Sequence, residues 1–95
     1  METIRQQIIG CLTEEAMSAI DLSQELGVRE KEVYEHLPHI ARSVANLGKK
    51  LVTLPSRCLG CGYTFKDRKR LTRPGRCPKC RSTRLRRPMF EIRLS

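Results

Sequence analysis

The chain has 95 residues with 19 Lys and Arg against 10 Asp and Glu, which gives a net charge of +9. No apolar run approaches the roughly 18 residues of a membrane-spanning helix, so composition excludes a helical membrane protein and favours one small soluble domain with a modest core. Residues 1–50 hold eight acids and six bases, whereas residues 51–95 hold two acids and thirteen bases. The second half is therefore the candidate for contact with a polyanion.

Residues 3–17 predict a capped helix followed by a connection. Thr3 and Gln6 have the spacing of a capping box, in which each residue's side chain bonds the other's backbone N–H. The apolar residues that follow recur on one helical face and predict a core: Ile4, Ile8, Cys11 and Leu12. Residues 13–17 are mostly polar and predict a connection.

A helix-turn-helix pattern covers residues 18–47. Ser18 and Asp21 predict the start of a short helix that ends at Gly27, and the turn that follows has the length typical of this motif. The next helix carries an apolar stripe at intervals of three and four residues: Val33, Leu37, Ile40, Val44, Leu47 and Leu51. Pro38 lies within the stripe and is expected to kink or split that helix, which gives three or four helices in all.

Two strands are predicted, over residues 51–54 and 89–94. The second strand alternates apolar with charged side chains: Phe90, Glu91, Ile92, Arg93 and Leu94. If the two strands pair antiparallel, the cysteine-rich segment lies between them at the tip of a hairpin. The sequence therefore predicts an α+β fold, a winged helix-turn-helix domain of residues 1–55 and 86–95, with residues 56–85 inserted in the wing.

The predicted insertion holds two C-x-x-C pairs separated by fifteen residues: Cys58, Cys61, Cys77 and Cys80. This spacing is typical of a zinc site, because two such pairs place four thiolates about 2.3 Å from one ion. Two disulfides would use the same residues. However, residues 1–12 do not resemble a secretory signal, and the odd fifth cysteine, Cys11, favours a reducing, cytoplasmic location. We expect one Zn²⁺ per chain, with iron as the alternative, since a tetrahedron of thiolates admits either metal.

Basic residues around the cysteines predict binding to nucleic acid, with double-stranded DNA as the expected partner. The candidate phosphate contacts are Lys66, Arg68, Lys69, Arg70, Arg73, Arg84, Arg86 and Arg87. Some further bases are close enough in sequence to act as a counter-charge to the metal: Arg57, Arg76, Lys79 and Arg81. At the second helix of the helix-turn-helix motif, the candidate base contacts are Arg29, Lys31, Tyr34 and His39. That helix also carries Glu30, Glu32 and Glu35, which repel phosphates, so the wing and its cysteine-rich insertion are expected to supply most of the affinity.

The motifs resemble a known family. The helix-turn-helix pattern, together with C-L-G-C-G-Y-T-F-K and R-C-P-K-C-R-S ahead of P-M-F-E-I, is similar to archaeal and bacterial proteins described as predicted transcriptional regulators, with a winged helix-turn-helix fused to a rubredoxin-like zinc ribbon. This resemblance covers essentially the whole chain. It implies that the four cysteines of the two C-x-x-C pairs are ligands of a rubredoxin-like site inserted in the wing.

Several other functions are compatible with the sequence. An RNA-binding ribbon would stack bases on Tyr63 or Phe65, a rubredoxin-like electron carrier would require iron, and an adaptor of the transcription machinery would use the acidic helices. Enzymatic activity is not expected, because four cysteine ligands leave no open metal position for water. A membrane partner is not expected either, and the sequence does not predict the oligomeric state.

Overall fold

The computed structural model describes residues 3–66 and 74–95. Within these ranges the protein is an α+β structure of three helices and short antiparallel strands. None of the described helices combines the length and the hydrophobicity of a membrane span. The elements are α1 (Ile4–Glu14), β1 (Met17–Ser18), α2 (Ala19–Leu26), α3 (Glu30–Ala45), β2 (Lys49–Leu54), β3 (Arg57–Cys58), β4 (Leu85–Arg86) and β5 (Met89–Leu94).

The first two helices begin at reciprocal caps, as the sequence predicted. The Thr3 hydroxyl accepts from the Gln6 N–H at 3.2 Å, and the Gln6 side chain accepts from the Thr3 N–H at 2.9 Å. Ser18 and Asp21 repeat this exchange at 3.2 and 3.0 Å. Each capping box supplies partners for backbone N–H groups at the start of its helix that have none within the helix. α2 ends at Leu26, and the residue that caps it, Gly27, has a φ of 69°, which glycine adopts readily.

The third helix differs from the prediction at Pro38. It is a single element of 16 residues with Pro38 inside it, so of the two expected outcomes, a kink or a split, the split is wrong. Pro38 is exposed, whereas the buried face of the helix carries four fully buried side chains: Val33, Leu37, Ile40 and Val44. Burying each stabilises the fold by about 1.5–3 kcal/mol, which together outweighs the roughly 3 kcal/mol cost of an interior proline. The buried stripe ends at Val44, because Leu47, the next residue of the predicted stripe, lies beyond the helix and is 68% exposed.

The predicted antiparallel pairing of the two longer strands is confirmed. β2 begins at Lys49 and pairs with β5 in a continuous register from Lys49 opposite Leu94 to Leu54 opposite Met89. The sheet order is β1-β5-β2, so β5 is central. The predicted connection at residues 13–17 is only partly correct, because α1 runs to Glu14 and β1 pairs with the start of β5. A two-residue strand has no periodicity that a sequence pattern could show.

The main core lies between the helices and the face of β5 that carries Phe90 and Ile92. Cys11 was expected in this core and is half-buried against it. Burial raises the pKa of its thiol, and the nearby carboxylates Glu25, Glu14 and Glu15 raise it further. Cys11 is therefore a packing residue with little thiolate character.

A second, smaller core lies in the segment between β2 and β5. Here β3 pairs antiparallel with β4, and Thr64 bridges to Arg57. The buried residues are Cys58, Cys77 and Leu85, with Phe65 packed against them. We call residues 55–88 the ribbon. The predicted domain division, residues 1–55 with 86–95 against 56–85, stays a prediction.

Candidate metal centre

The ribbon brings the four cysteines of the two C-x-x-C pairs together. Their sulfur atoms all lie within 4.8 Å of one another, with 3.5 Å between the sulfurs of Cys58 and Cys80 and 3.7 Å between those of Cys61 and Cys77. A tetrahedron of sulfurs about 2.3 Å from a central ion has edges of about 3.8 Å. The four thiols therefore have the donor set and the spacing that a tetrathiolate metal site requires.

Two turns with the same hydrogen-bond pattern hold these cysteines. In the first knuckle, residues 58–62, the Gly62 N–H donates to the Cys58 carbonyl at 3.0 Å. In the second knuckle, residues 77–81, the Arg81 N–H donates to the Cys77 carbonyl at 2.8 Å. The N–H of the first cysteine in each knuckle also donates to the carbonyl five residues on, in Tyr63 and Ser82. The site thus consists of two equivalent backbone turns that face each other.

The last residue of each knuckle has a left-handed backbone. Gly62 has φ of 80°, which costs glycine nothing, whereas Arg81 at the equivalent position has φ of 62°. A non-glycine residue in this region costs about 1 kcal/mol or more. The second knuckle therefore carries backbone strain that the first avoids.

We expect Arg81→Gly to stabilise the metal-bound ribbon by about 1 kcal/mol, and Gly62→Ala to destabilise it by a similar amount. Because we expect ribbon folding to be coupled to metal binding, competition with a chromogenic chelator should show about fivefold tighter and fivefold weaker metal binding, respectively. Arg81→Ala is the matched control, because it removes the same charge but keeps a Cβ at positive φ. An equal gain in Arg81→Ala would attribute the effect to charge rather than to the backbone.

The first cysteine of each knuckle is buried and the second is exposed. The Cys61 N–H, which lies 3.5 Å from the Cys58 sulfur, is the main reason that the pKa of Cys58 is lowered to about 6. For Cys77 the largest influence is burial, which raises the pKa. Hydrogen bonds from the N–H groups of Cys80 and Lys79, together with those from the Cys61 and Cys80 thiols, outweigh burial, so the pKa of Cys77 is lowered as well. Both buried sulfurs thus favour the thiolate form that binds metal.

Cys80 behaves differently from the buried pair. The largest single influence on its pKa is the Ser82 N–H, which lowers it, but the Cys58 thiol, burial and the other thiols together raise the pKa to about 12. Four sulfurs this close cannot all carry negative charge without a neutralising cation. The arrangement suits a divalent ion, which supplies that charge and draws the last protons off the cluster.

The predicted nucleic-acid contacts fall into three groups. Arg68, Lys69, Arg70 and Arg73 lie outside the described residues. In the ribbon, the exposed candidates are Lys66, Arg84, Arg86 and Arg87. At the cap of α3 and along the helix, Arg29, Lys31 and His39 are exposed. Tyr34 is half-buried against the core, and its hydroxyl donates to the Glu30 carboxylate at 3.1 Å. Tyr34 is thus the candidate least suited to contact a base.

Four further bases of the ribbon are as exposed as the predicted contacts: Arg57, Arg76, Lys79 and Arg81. The sequence analysis had assigned these four residues a different role, as a counter-charge to the metal, because they lie close to the cysteines in the sequence. Exposure does not separate the two groups, so their role as a counter-charge to the metal stays a prediction. The left-handed backbone of Arg81 had no sequence signal beyond its position after a C-x-x-C pair, where the first pair has glycine.

In the described part of the chain, three helices, a small antiparallel sheet and a four-cysteine ribbon define a small α+β protein of the zinc-ribbon class. The chain belongs to the PF0610-like family. Residues 3–52 match the family described as PF0610-like, N-terminal, and residues 55–94 match the PF0610 rubredoxin-like zinc beta-ribbon domain. The rubredoxin-like ribbon in the predicted resemblance is therefore confirmed.

A solved structure agrees with this assignment. The solution NMR structure of protein PF0610 from Pyrococcus furiosus is similar to this chain with a TM-score of 0.77 and 28% sequence identity, over 97% of this chain and 90% of that chain. No curated protein matches the chain significantly. The family and the fold are thus shown, while the regulatory role stays a prediction.

Proposed function

We propose that the chain is a cytoplasmic transcriptional regulator that binds double-stranded DNA, with phosphate contacts made mainly by the ribbon around one structural Zn²⁺. One observation carries this proposal. Every Lys and Arg among the described residues of the ribbon is exposed, and these residues include no Asp or Glu: Arg57, Lys66, Arg76, Lys79, Arg81, Arg84, Arg86 and Arg87. Asp67, the one acid of this segment in the sequence, lies outside the described residues.

The charge of this surface persists when metal is bound. Four thiolates with one Zn²⁺ contribute about −2, so the described part of the ribbon keeps a net charge of about +6. None of its bases pairs with a described carboxylate, and the described ion pair Arg93–Glu91 lies in β5. Each base is therefore available to a phosphate, where it would release condensed counterions and so favour binding.

The arrangement of elements favours a winged helix as the DNA-binding domain. In that fold α3 would be the recognition helix, and β2 and β5 would form the wing. The chain order α1, β1, α2, α3, β2, β5 and the sheet order β1-β5-β2 support this assignment. The ribbon would then extend the wing, which is where a winged helix contacts DNA outside the groove that its recognition helix enters.

A structural role for zinc follows from the donor set. Four cysteine ligands close the coordination sphere and leave no position for water or substrate, so catalysis is not part of the proposal. Zn²⁺ would hold the two knuckles together. Iron would fit the same sulfurs, and elemental analysis of untagged, reduced protein decides between them. A protein that binds iron with a reversible Fe(III)/Fe(II) couple would favour the electron-carrier alternative.

The division of affinity between ribbon and α3 is tested with two triple variants. We expect the triple variant Arg76→Ala, Lys79→Ala and Arg84→Ala to weaken binding to any duplex by at least tenfold at about 0.1 M salt. The plot of log affinity against log salt should also flatten by about 0.9 for each phosphate that the variant no longer contacts. The matched control is the triple variant Arg29→Ala, Lys31→Ala and Arg42→Ala, because it removes the same amount of charge from α3 and its N-cap. Fluorescence anisotropy with two unrelated 20-base-pair duplexes measures both.

Equal losses in the two variants would contradict the proposed role of the ribbon and indicate that only net charge matters. The acidic start of α3 supports a second candidate function, an adaptor that binds a basic surface of the transcription machinery. Glu32 and Glu35 are exposed there. If the wild-type chain binds no duplex, while charge reversal of Glu30, Glu32 and Glu35 abolishes capture of a transcription protein, the adaptor function replaces DNA binding.

A further inference from the structure

A groove lies where the helical part of the chain meets the base of the ribbon. It has a volume of about 300 Å³, and its walls come from residues 18–21 on one side and from residues 85–89 on the other. Ile20, Leu85 and Met89 supply apolar surface, and Arg86 and Arg87 supply positive charge. The groove is thus concave, partly apolar and lined by two adjacent arginines.

The backbone that carries the two arginines is fixed on both sides. Arg86 is paired with Arg57 where β4 pairs with β3, and Leu85 before it is 7% exposed. After Arg87, Pro88 is buried and Met89 pairs with Ser18 of β1. The Arg86 guanidinium also donates to the Pro55 carbonyl at 3.4 Å. Two arginines on a held backbone lose less freedom on binding a ligand than the same side chains on a mobile loop.

The one acid in the groove does not neutralise these arginines. Asp21 lines the groove, but its Oδ2 accepts from the Ser18 N–H at 3.0 Å as part of the capping box of α2. Neither arginine forms an ion pair with a carboxylate among the described residues. The groove therefore keeps a net charge of about +1, and Asp21 limits its affinity for anions.

We propose that this groove binds one phosphodiester of the nucleic-acid backbone, with Arg86 and Arg87 as its two donors and the sugar against Ile20 and Met89. Arginine suits this ligand, because its planar guanidinium donates two parallel hydrogen bonds to phosphate oxygens. The inference rests on the proposed function and deepens it. It makes Arg86 and Arg87 the strongest contacts of the ribbon and places the bound strand against both parts of the chain.

Opposite charge changes in the same groove test this assignment. We expect Arg86→Gln and Arg87→Gln each to weaken binding to a 20-base-pair duplex by about threefold to tenfold, and the double variant to lower the salt slope by about 0.9, because the two arginines share one phosphate. Asp21→Asn should tighten binding by about twofold, because the amide oxygen keeps the cap on the Ser18 N–H while the repulsion is removed. Lys79→Gln, on the second knuckle, is the matched control with an expected loss below threefold.

A substitution at Arg87 is the easier of the two to interpret, because the Arg87 side chain makes no hydrogen bond to a described residue. Arg87→Gln should therefore keep the wild-type melting temperature. If both arginine variants lose no more affinity than Lys79→Gln, or if Asp21→Asn weakens binding, the inference is wrong even though the chain binds DNA. A loss in Arg86→Gln that Arg86→Lys fully restores would also overturn it, because a point charge would then suffice.

A second measurement separates this inference from the proposed function. The thymidine dinucleotide dTpdT contains one phosphodiester and no duplex. In an NMR titration we expect it to shift the backbone signals of Arg86, Arg87 and Met89, and inorganic phosphate at the same concentration to shift them less. These shifts in a chain that binds no duplex would support the groove and reject duplex binding. Equal shifts from inorganic phosphate would assign the groove to free phosphate and overturn the backbone assignment.

Discussion

Removal of the metal is expected to unfold the ribbon while the three helices stay folded. The ribbon is a segment of 34 residues whose described core consists of Cys58, Cys77 and Leu85, with Phe65 packed against it. Two of these buried residues would be metal ligands. A segment below about 40 residues seldom folds without metal or disulfides, and structural zinc binding contributes about 10–16 kcal/mol at neutral pH, so its loss leaves the ribbon without sufficient stability.

Chelation under reducing conditions, followed by limited trypsin digestion, measures this effect. The ribbon is rich in Lys and Arg, so we expect cleavage at Lys79 and Arg84 within minutes after chelation and slow cleavage before it. The helical signal in circular dichroism should fall by less than a tenth, because the main core between α1, α2, α3 and β5 contains none of the four cysteines that would bind the metal. Cys77→Ser should behave like the chelated protein, and Cys11→Ser should behave like the untreated one.

A ribbon that resists trypsin equally with and without metal, in material shown by elemental analysis to be metal-free, would contradict this expectation. It would mean that β3, β4 and the small apolar cluster suffice for folding. The measurement also bears on DNA binding. If the ordered ribbon presents the basic surface, the chelated chain should bind duplex more weakly, since the same bases are then attached to an unfolded segment.

Features that depend on local chemistry were predictable from the sequence. Both capping boxes require only two residues three positions apart, and both are present. The two C-x-x-C pairs fix their own turns, so their meeting at one site also followed from spacing. The alternation in residues 89–94 indicated β5 because a half-buried strand imposes a period of two. These patterns are short, and each one carries its own physical cause.

Features that depend on distant packing were not predictable. The proline at position 38 indicated a kink or a split, yet the helix is not split, because its four buried side chains favour one continuous α3. β1 exists because Met17 and Ser18 meet the start of β5, which is more than seventy residues away. The groove at Arg86 and Arg87 arises from the same meeting. A run of basic residues indicates positive charge there but not the concave surface between ribbon and helices.

The central strand is the origin of the second large expected effect. Phe90 is fully buried in β5, opposite Met17 of β1 and Thr53 of β2, and its face of the strand packs under the helices. Phe90→Ala would leave a cavity where the sheet and helices join, at a cost of about 3–5 kcal/mol. For a chain of this size each kcal/mol lowers the melting temperature by about 4–8 °C, so we expect a fall of at least about 12 °C.

Leu94→Ala is the matched control for Phe90→Ala. It removes a large apolar side chain from the same strand at a position 77% exposed, and we expect a change below about 0.5 kcal/mol. Thermal unfolding of the metal-loaded proteins, followed by circular dichroism of the helices, measures both variants. Similar losses in the two would mean that strand pairing, rather than packing under the helices, holds β5 in place. A large loss in Phe90→Ala alone locates the cooperative core under the helices, in which case trypsin resistance of the metal-bound ribbon should survive to a higher temperature than the helical signal.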